Sequence, residues 1–125
     1  MKKIIRTENA PAPIGPYNQA IEAGNILFVS GQIAIDPSSG QLITINIIRE
    51  ANQVMLNIGE ILKAAGLNFS HVVKTTIFLT DMNNFTHVNE VYGQFFTENF
   101  PARETVQVSR LPKDVNVEIS VIAMR

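Results

Sequence analysis

Hydrophobic residues recur every three or four positions in two long stretches of the chain, as on a helix with one buried face. The first stretch is 47–65, with Asn46 as a suitable N-cap and Gly66 as a suitable C′ residue. The second is 82–99, with Asp81 as its N-cap. The sequence therefore predicts two amphipathic helices. The apolar face of the second comprises Phe85, Val88, Val91, Tyr92, Phe95 and Phe96.

Six shorter stretches are rich in β-branched and other apolar residues, a composition typical of strands. They are 2–7, 17–23, 26–32, 72–80, 103–109 and 116–124. Gly24 and Asn25 join the second and third strands in a pattern typical of a two-residue hairpin. The predicted order is β-β-β-α-β-α-β-β. It indicates one α+β domain, 1–125, with two helices packed on one face of a mixed sheet.

Some predicted strands are apolar on both faces. Residues 26–29 and 77–79 show no polar alternation, whereas a strand with one face in water alternates. Two helices cover one face of the sheet, and the chain has no further helix for the other. We therefore expect another copy of the protein to cover it. The pattern predicts an oligomer without fixing the number of subunits.

Composition narrows the class of protein. A length of 125 residues and an apolar content of 46% are typical of one globular domain. The net charge of −1 predicts no general attraction to nucleic acid or to a membrane surface. Because there is no cysteine, disulfides, thiolate metal sites and cysteine nucleophiles are excluded. No apolar run resembles a signal peptide or a membrane span, which predicts a cytoplasmic protein.

Polar residues at the borders of apolar stretches are the candidates for chemistry. Asn89 borders the apolar face of the second helix, and is either a flank amide held by a loop or part of a site. In the fifth strand, Arg103 and Thr105 alternate with Glu104 and Val106. We expect the face that carries Val106 to be the apolar one, which places Arg103 outward or in a cleft. There its guanidinium can bind a carboxylate, or pair with a surface acid such as Glu104.

Glu118 lies in the middle of the last strand, between Val117 and Ile119. A buried carboxylate without a partner costs free energy, and burial raises its pKa toward the neutral range. Such a group suits general acid–base catalysis. The alternative is a solvated strand face, and the sequence leaves both interpretations open.

Motifs for a nucleophile or a metal are weak. Ser30 precedes Gly31 but lacks the second glycine of a nucleophile elbow, and nothing links it to His71 or His87 in a triad. Neither histidine is spaced with an acid as metal ligands are, so we expect both at the surface and no metal site. There is no phosphate loop or dinucleotide fingerprint, so we expect no cofactor.

A series of short motifs nevertheless resembles one known family, RidA/YjgF, also called the reactive intermediate deaminase or translation-inhibitor-like family. The resemblance covers nearly the whole chain, in order and without large gaps. The motifs are Ile14-Gly15-Pro16-Tyr17, Ser30-Gly31-Gln32, Val73-Lys74-Thr75-Thr76, Val88-Asn89, Pro101-Ala102-Arg103, Arg110-Leu111-Pro112-Lys113-Asp114 and Val117-Glu118-Ile119.

This resemblance implies a chorismate-mutase-like fold of the Bacillus type and a homotrimer. The three sheets would form a central barrel with the helices outside, and the active sites would lie in clefts between subunits. It also implies that Arg103 binds a substrate carboxylate and that Glu118 positions or activates water. Further cleft residues implied by the resemblance are Tyr17, Ser30, Gly31, Asn89 and Thr105, with Gly31 and Thr105 contributing main chain.

The chain departs from the family pattern after Arg103. Family members commonly have Ser-Cys there, whereas this chain has Glu104-Thr105. A thiol role is therefore excluded, although a role of the main chain survives the replacement. We expect strand alternation to turn Glu104 away from the cleft. If Glu104 faced inward, it would oppose an anionic substrate.

The activity implied by the resemblance is hydrolysis of 2-imino acids such as 2-iminobutanoate and 2-iminopropanoate, or their enamine tautomers, to 2-keto acids and ammonia. One arginine suffices to anchor such small carboxylates, and no metal or organic cofactor is required. The alternative is a regulatory protein, such as a translation inhibitor or metabolite sensor, that binds ligands in the same cleft without turnover. The family's ribonuclease description fits poorly, because the sequence has no basic patch and no histidine pair.

Overall fold

The computed structural model describes residues 1–125, and its elements follow the predicted order. Two α-helices and six strands form the domain, together with 3-10 turns at Phe69–His71, Met82–Asn84 and Pro112–Asp114. The helices are α1 (Ile47–Ala64) and α2 (Phe85–Gly93). The strands are β1 (Lys2–Ile5), β2 (Ala20–Ala23), β3 (Ile26–Gln32), β4 (Val72–Leu79), β5 (Ala102–Gln107) and β6 (Val117–Met124).

All six strands belong to one mixed sheet. Their order is β1-β2-β3-β6-β4-β5. Only β4 and β5 pair in parallel, with α2 as the crossover between them; the other pairs are antiparallel. The predicted α+β class is therefore confirmed, and the strand order agrees with the chorismate-mutase-like fold. Neither helix is long and apolar enough to cross a membrane.

Helix α1 begins and ends where the sequence predicts. The Asn46 side chain accepts a hydrogen bond from the Arg49 N–H at 2.9 Å, and Gly66 adopts the left-handed conformation, with φ of 76°, that glycine tolerates best. Because its apolar residues share one face, α1 buries them against the sheet. The fully buried members include Val54, Met55, Ile58, Ile61 and Leu62.

The prediction for α2 was wrong at both ends. The helix begins at Phe85, after the 3-10 turn Met82–Asn84 that Asp81 caps, and it ends at Gly93 and not at residue 99. Glycine is a poor helix former. Beyond it the chain packs Phe95 and Phe96 around Phe69, with ring centroids 5.3 and 5.5 Å apart. Strand β2 likewise begins at Ala20 and not at residue 17, since a tight turn precedes it.

One face of the sheet is covered and the other is not. The side chains on the covered face form the core with α1 and α2. On the other face a cross-strand row of apolar side chains comprises Ile4, Ile21, Phe28 and Ile122. Phe28 is 46% exposed there. The uncovered second face predicted from the strand patterns is therefore present in the single chain.

Candidate active site

A cavity of about 330 Å³ opens at one end of the uncovered face. Its lining combines apolar side chains with one carboxyl group, one hydroxyl and one phenol. We call it the Glu118 cavity. It is lined by Ile14, Tyr17, Ser30, Gly31, Ile33, Pro112 and Glu118. The resemblance assigned a site role to four of these residues, so four predicted residues do lie together.

A bulge in β3 shapes this cavity. Val29 lies opposite Val121, but Gln32 lies opposite Ile119, so β3 has one residue more than β6 over this interval. Such bulges redirect side chains and are common beside active sites. The extra length falls at Ser30 and Gly31. The Ser30 hydroxyl donates to the Asn18 carbonyl at 2.6 Å.

Gly31 leaves the space that the Glu118 side chain occupies. A Cβ at position 31 would lie 2.8 Å from the Glu118 Cδ and 3.1 Å from its Cγ, and would overlap the carboxylate. Real Cβ atoms essentially never lie closer than 3.0 Å to such atoms. The glycine is therefore required for this placement of the acid. Its backbone φ is not in the left-handed region, so space and not conformation imposes the requirement.

Burial raises the pKa of the Glu118 carboxyl group above its usual range. Removing a carboxylate from water disfavours the charged form, and no cation of the chain offsets this effect. Its position opposite Phe78 of β4 places it on the uncovered face. Glu118 is half-buried there, so within one chain it is neither fully solvated nor sealed from water.

A second cavity, of about 430 Å³, lies beside α2. We call it the Arg103 cavity. It is lined by Asn89, Tyr92, Gly93, Phe100, Pro101 and Arg103. The Arg103 guanidinium carbon lies 5.1 Å from the Tyr92 ring centroid and 5.6 Å from that of Phe85, which are cation–π distances. Arg103 forms no salt bridge within the chain, so the alternative of pairing with a surface acid is wrong.

Tyr92 is fixed in its turn by the sheet. Its hydroxyl donates to the Thr75 Oγ1 at 2.9 Å in the buried core. Burial raises the pKa of Tyr92, so the phenol stays protonated at neutral pH. Thr75 lies opposite Arg103 in the parallel β4–β5 pair, so both side chains are on the covered face. Sequence reasoning placed Phe85 and Tyr92 on the apolar face of α2 but did not identify them as supports for Arg103.

Arg103 and Glu104 lie on opposite faces of the sheet, as the alternation of side chains along β5 predicts. Lys74 binds Glu104 at 3.0 Å on the uncovered face, away from the guanidinium. The expectation that the apolar side of β5 faces the interior was wrong, because Val106 is 40% exposed on the uncovered face. Thr105 lies on the covered face, where its Oγ1 is buried without a hydrogen-bond partner.

Within one chain the predicted site residues form two groups. Arg103 lies on the covered face, with Asn89 beside it on α2 and Thr105 two positions along β5. Glu118 lies on the opposite face with the other predicted residues. The structure of one chain therefore does not bring the guanidinium and the carboxyl group into a common cavity. They can meet only if different copies of the protein contribute them.

Other residues that affect the site carried no clear sequence signal. Ile14, Ile33 and Pro112 line the Glu118 cavity because of loop geometry that no periodicity reports. Glu50, an acid in the first turn of α1, is completely buried. No three histidine, cysteine or acidic side chains lie close enough to hold a metal ion.

The whole chain is similar to known proteins. The family profile described as Endoribonuclease L-PSP matches residues 7–125. The human protein named 2-iminobutanoate/2-iminopropanoate deaminase is 50% identical over 125 residues, covering 100% of this chain and 91% of the relative.

Two solved structures have nearly the same fold. One is YyfA of the conserved Rid protein family from Yersinia pestis, with a TM-score of 0.97, 48% identity and coverage of 100% of both chains. The other is E. coli TdcF with bound serine, with a TM-score of 0.95, 44% identity and coverage of 98% of both chains. The chain therefore belongs to the endoribonuclease L-PSP family, which is the RidA/YjgF family that its motifs indicate.

Proposed function

We propose that this protein is a hydrolytic deaminase that converts small 2-imino acids, such as 2-iminobutanoate and 2-iminopropanoate, to 2-keto acids and ammonia. The names of its mammalian relatives, which are about half identical over the whole chain, support this activity. So does the serine held by E. coli TdcF, which is a small amino acid with one carboxylate.

The observation that carries the proposal is the unpaired guanidinium of Arg103. Two aromatic rings fix its plane, and no acid of the chain neutralises it. A planar fork held in this way binds one carboxylate through two parallel hydrogen bonds. Arg103 is therefore the proposed anchor for the substrate carboxylate. Asn89 lines the same cavity, and the family resemblance adds the main chain at Thr105.

Each site requires two subunits. Arg103 and Glu118 lie on opposite faces of one chain, and the uncovered apolar face of the sheet needs a partner. A homotrimer, as the family resemblance implies, accounts for both observations. In that assembly the Arg103 cavity of one subunit joins the Glu118 cavity of its neighbour, and the clefts enclose the substrate.

Glu118 then acts on water. Burial raises the pKa of its carboxyl group in the direction of neutral pH, which suits a group that both accepts and returns a proton. Water adds to the imine carbon as Glu118 takes one of its protons. That proton passes to the nitrogen and gives a carbinolamine. Glu118 then takes the proton of the carbinolamine hydroxyl and passes it to the nitrogen, so that the C–N bond breaks and ammonia leaves as the C=O bond forms. Water and imine together supply every atom of the 2-keto acid and the ammonia.

The remaining residues shape the cavity around the reacting carbon. The Tyr17 hydroxyl accepts a hydrogen bond from the Ile14 N–H at 3.2 Å, which leaves its proton free for a ligand. Ser30 uses its proton on Asn18 and therefore offers the ligand an acceptor. Gly31 keeps the space for Glu118 open.

A cytoplasmic location of the protein stays a prediction from the sequence.

Activity of single variants tests the anchor. With 2-iminobutanoate generated by a threonine dehydratase, the wild-type protein accelerates imine loss. Arg103→Ala should abolish that acceleration, and Glu118→Gln should reduce it strongly. Arg49→Ala, which removes an exposed arginine of α1, is the matched control and should leave the rate unchanged. Full activity of Arg103→Ala rules out the anchor.

Mixing variants tests the shared site. The inactive Arg103→Ala and the weakly active Glu118→Gln proteins, unfolded and refolded together, should regain part of the activity. Mixed assemblies contain some clefts in which both groups are intact. If mixed assemblies form but the activity does not recover, the two groups do not act in a site shared between subunits and belong to a site of a single chain.

A binding protein without turnover is the second candidate. A structural relative from Vibrio vulnificus is named a putative translation initiation inhibitor, and E. coli TdcF holds bound serine. Calorimetry with a 2-keto acid, run beside the turnover assay, separates the two functions. A sensor binds the keto acid without accelerating imine loss.

A further inference from the structure

Glu50 is a buried acid that the mechanism above does not use. It lies in the first turn of α1 and is 0% exposed. Its carboxylate accepts hydrogen bonds from the Asn116 N–H at 2.7 Å, the Asn116 side-chain amide at 2.8 Å and the Val117 N–H at 3.2 Å. No lysine or arginine of the chain forms a salt bridge with it.

Burial of a carboxylate costs roughly several kcal/mol of folding free energy unless hydrogen-bond donors satisfy it. Here three N–H donors and the positive end of the α1 dipole satisfy it. All three donors belong to the two residues that immediately precede Glu118. The acid therefore fixes the first residues of β6 to α1 across the core, although 66 positions separate Glu50 from Asn116.

The start of β6 is also paired with β4, where Val117 lies opposite Leu79. The Asn116 carbonyl accepts from the Thr80 N–H at 3.2 Å, which is a long hydrogen bond. Beyond it, Glu118 lies opposite Phe78 and fills the space beside Gly31 with no room to spare. A small shift of residues 116–117 is therefore transmitted directly to the carboxyl group.

We propose that Glu50 is a positioning residue for Glu118, holding the start of β6 so that the catalytic carboxyl group stays against Gly31. This inference rests on the proposed role of Glu118 in imine hydrolysis. Glu50 touches no substrate and acts only through the two amides before Glu118.

Two substitutions separate position from charge. Glu50→Gln keeps an oxygen that can accept from both main-chain N–H groups, and rotation of the Asn116 amide satisfies the new NH2 group. It should keep activity within about twofold of wild type, less than a typical hydrogen bond is worth. Glu50→Met has similar length but no acceptor. It should lower kcat/KM about 10- to 100-fold, as when a supporting partner of an active-site group is lost.

The test is a double-mutant cycle with Glu118→Gln. If Glu50 acts through Glu118, Glu50→Met lowers kcat/KM in the wild-type background but not in the Glu118→Gln background. The dissociation constant for 2-oxobutanoate should change less than twofold, because Arg103 is untouched. Arg125→Ala is the structural control. It removes hydrogen bonds to Glu22 and the Ala65 carbonyl and should change stability without changing kcat/KM.

Equal losses in both backgrounds, or wild-type activity of Glu50→Met, overturn the inference while leaving the deaminase function intact. Full activity of Glu118→Gln alone overturns the proposed role of Glu118 and this inference with it. If Glu50→Met does not fold, Glu50→Asp takes its place in the cycle. It keeps the charge but withdraws it by one methylene, and the same outcomes decide.

Discussion

Replacing Gly31 by alanine should separate activity from stability. The new Cβ would overlap the Glu118 carboxylate and lie 2.8 Å from its Cδ, whereas ordinary van der Waals contact begins at about 3.4 Å. The carboxyl group is the far end of a flexible side chain, so it can move away by about 1 Å. Displacement of a reacting group by about 1 Å costs about 100-fold in rate.

Stability should change little in Gly31→Ala. Displacing Glu118 into a poorer rotamer costs about 0.5–1.5 kcal/mol. Alanine offsets part of this by about 0.4–1 kcal/mol, because it restricts the unfolded chain and the backbone at position 31 needs no left-handed conformation. We therefore expect a change in the free energy of unfolding below about 1 kcal/mol, together with a loss of about 100-fold in kcat/KM.

The assays are imine loss and urea unfolding, with Gly59→Ala as the matched control. That substitution adds the same methyl group inside α1, where it meets the Phe69 ring at 3.1 Å and is remote from both cavities. It should change stability and leave kcat/KM unchanged. Wild-type activity of Gly31→Ala would refute the argument that Glu118 needs this space, and global unfolding would refute the argument that the clash is relieved locally.

Three further outcomes are expected. Because burial raises the pKa of Glu118, folding favours its protonated form. The carboxyl group therefore destabilises the protein increasingly as pH rises from the unfolded value of 4.5 through the raised folded value. Glu118→Gln should be more stable than wild type at pH 7 by urea unfolding, with no difference at pH 3, and its pH–rate profile should lose the acidic limb; equal stability at pH 7 contradicts this. Tyr92→Phe keeps the ring beside Arg103 but leaves Thr75 without its donor; it should lose about 1–2 kcal/mol of stability and retain ligand binding, whereas weakened 2-oxobutanoate binding in calorimetry would contradict it. Phe28→Asp on the uncovered face should yield monomers in sedimentation and remove activity, and an active monomer would contradict the shared site.

Local patterns in the sequence determined which segments form helices and strands and which side chains share a face. Helical spacing predicted α1 within one residue of its observed end, since Asn46 and Gly66 act within one turn. Alternation along β5 separated Arg103 from Glu104, because successive side chains of a strand point to opposite faces. Short motifs spread over the whole chain identified the family. These features depend on residues that are close in sequence, so the sequence alone reports them.

The tertiary structure decided everything that depends on distant partners. It ended α2 early because Phe95 and Phe96 pack on Phe69. It buried Glu50 against donors 66 positions away, and it placed the Gly31 space beside Glu118. It also placed Arg103 and Glu118 on opposite faces of one sheet. Which residues meet across a sheet is set by register, strand order and bulges. None of these is encoded in the periodicity of a single segment.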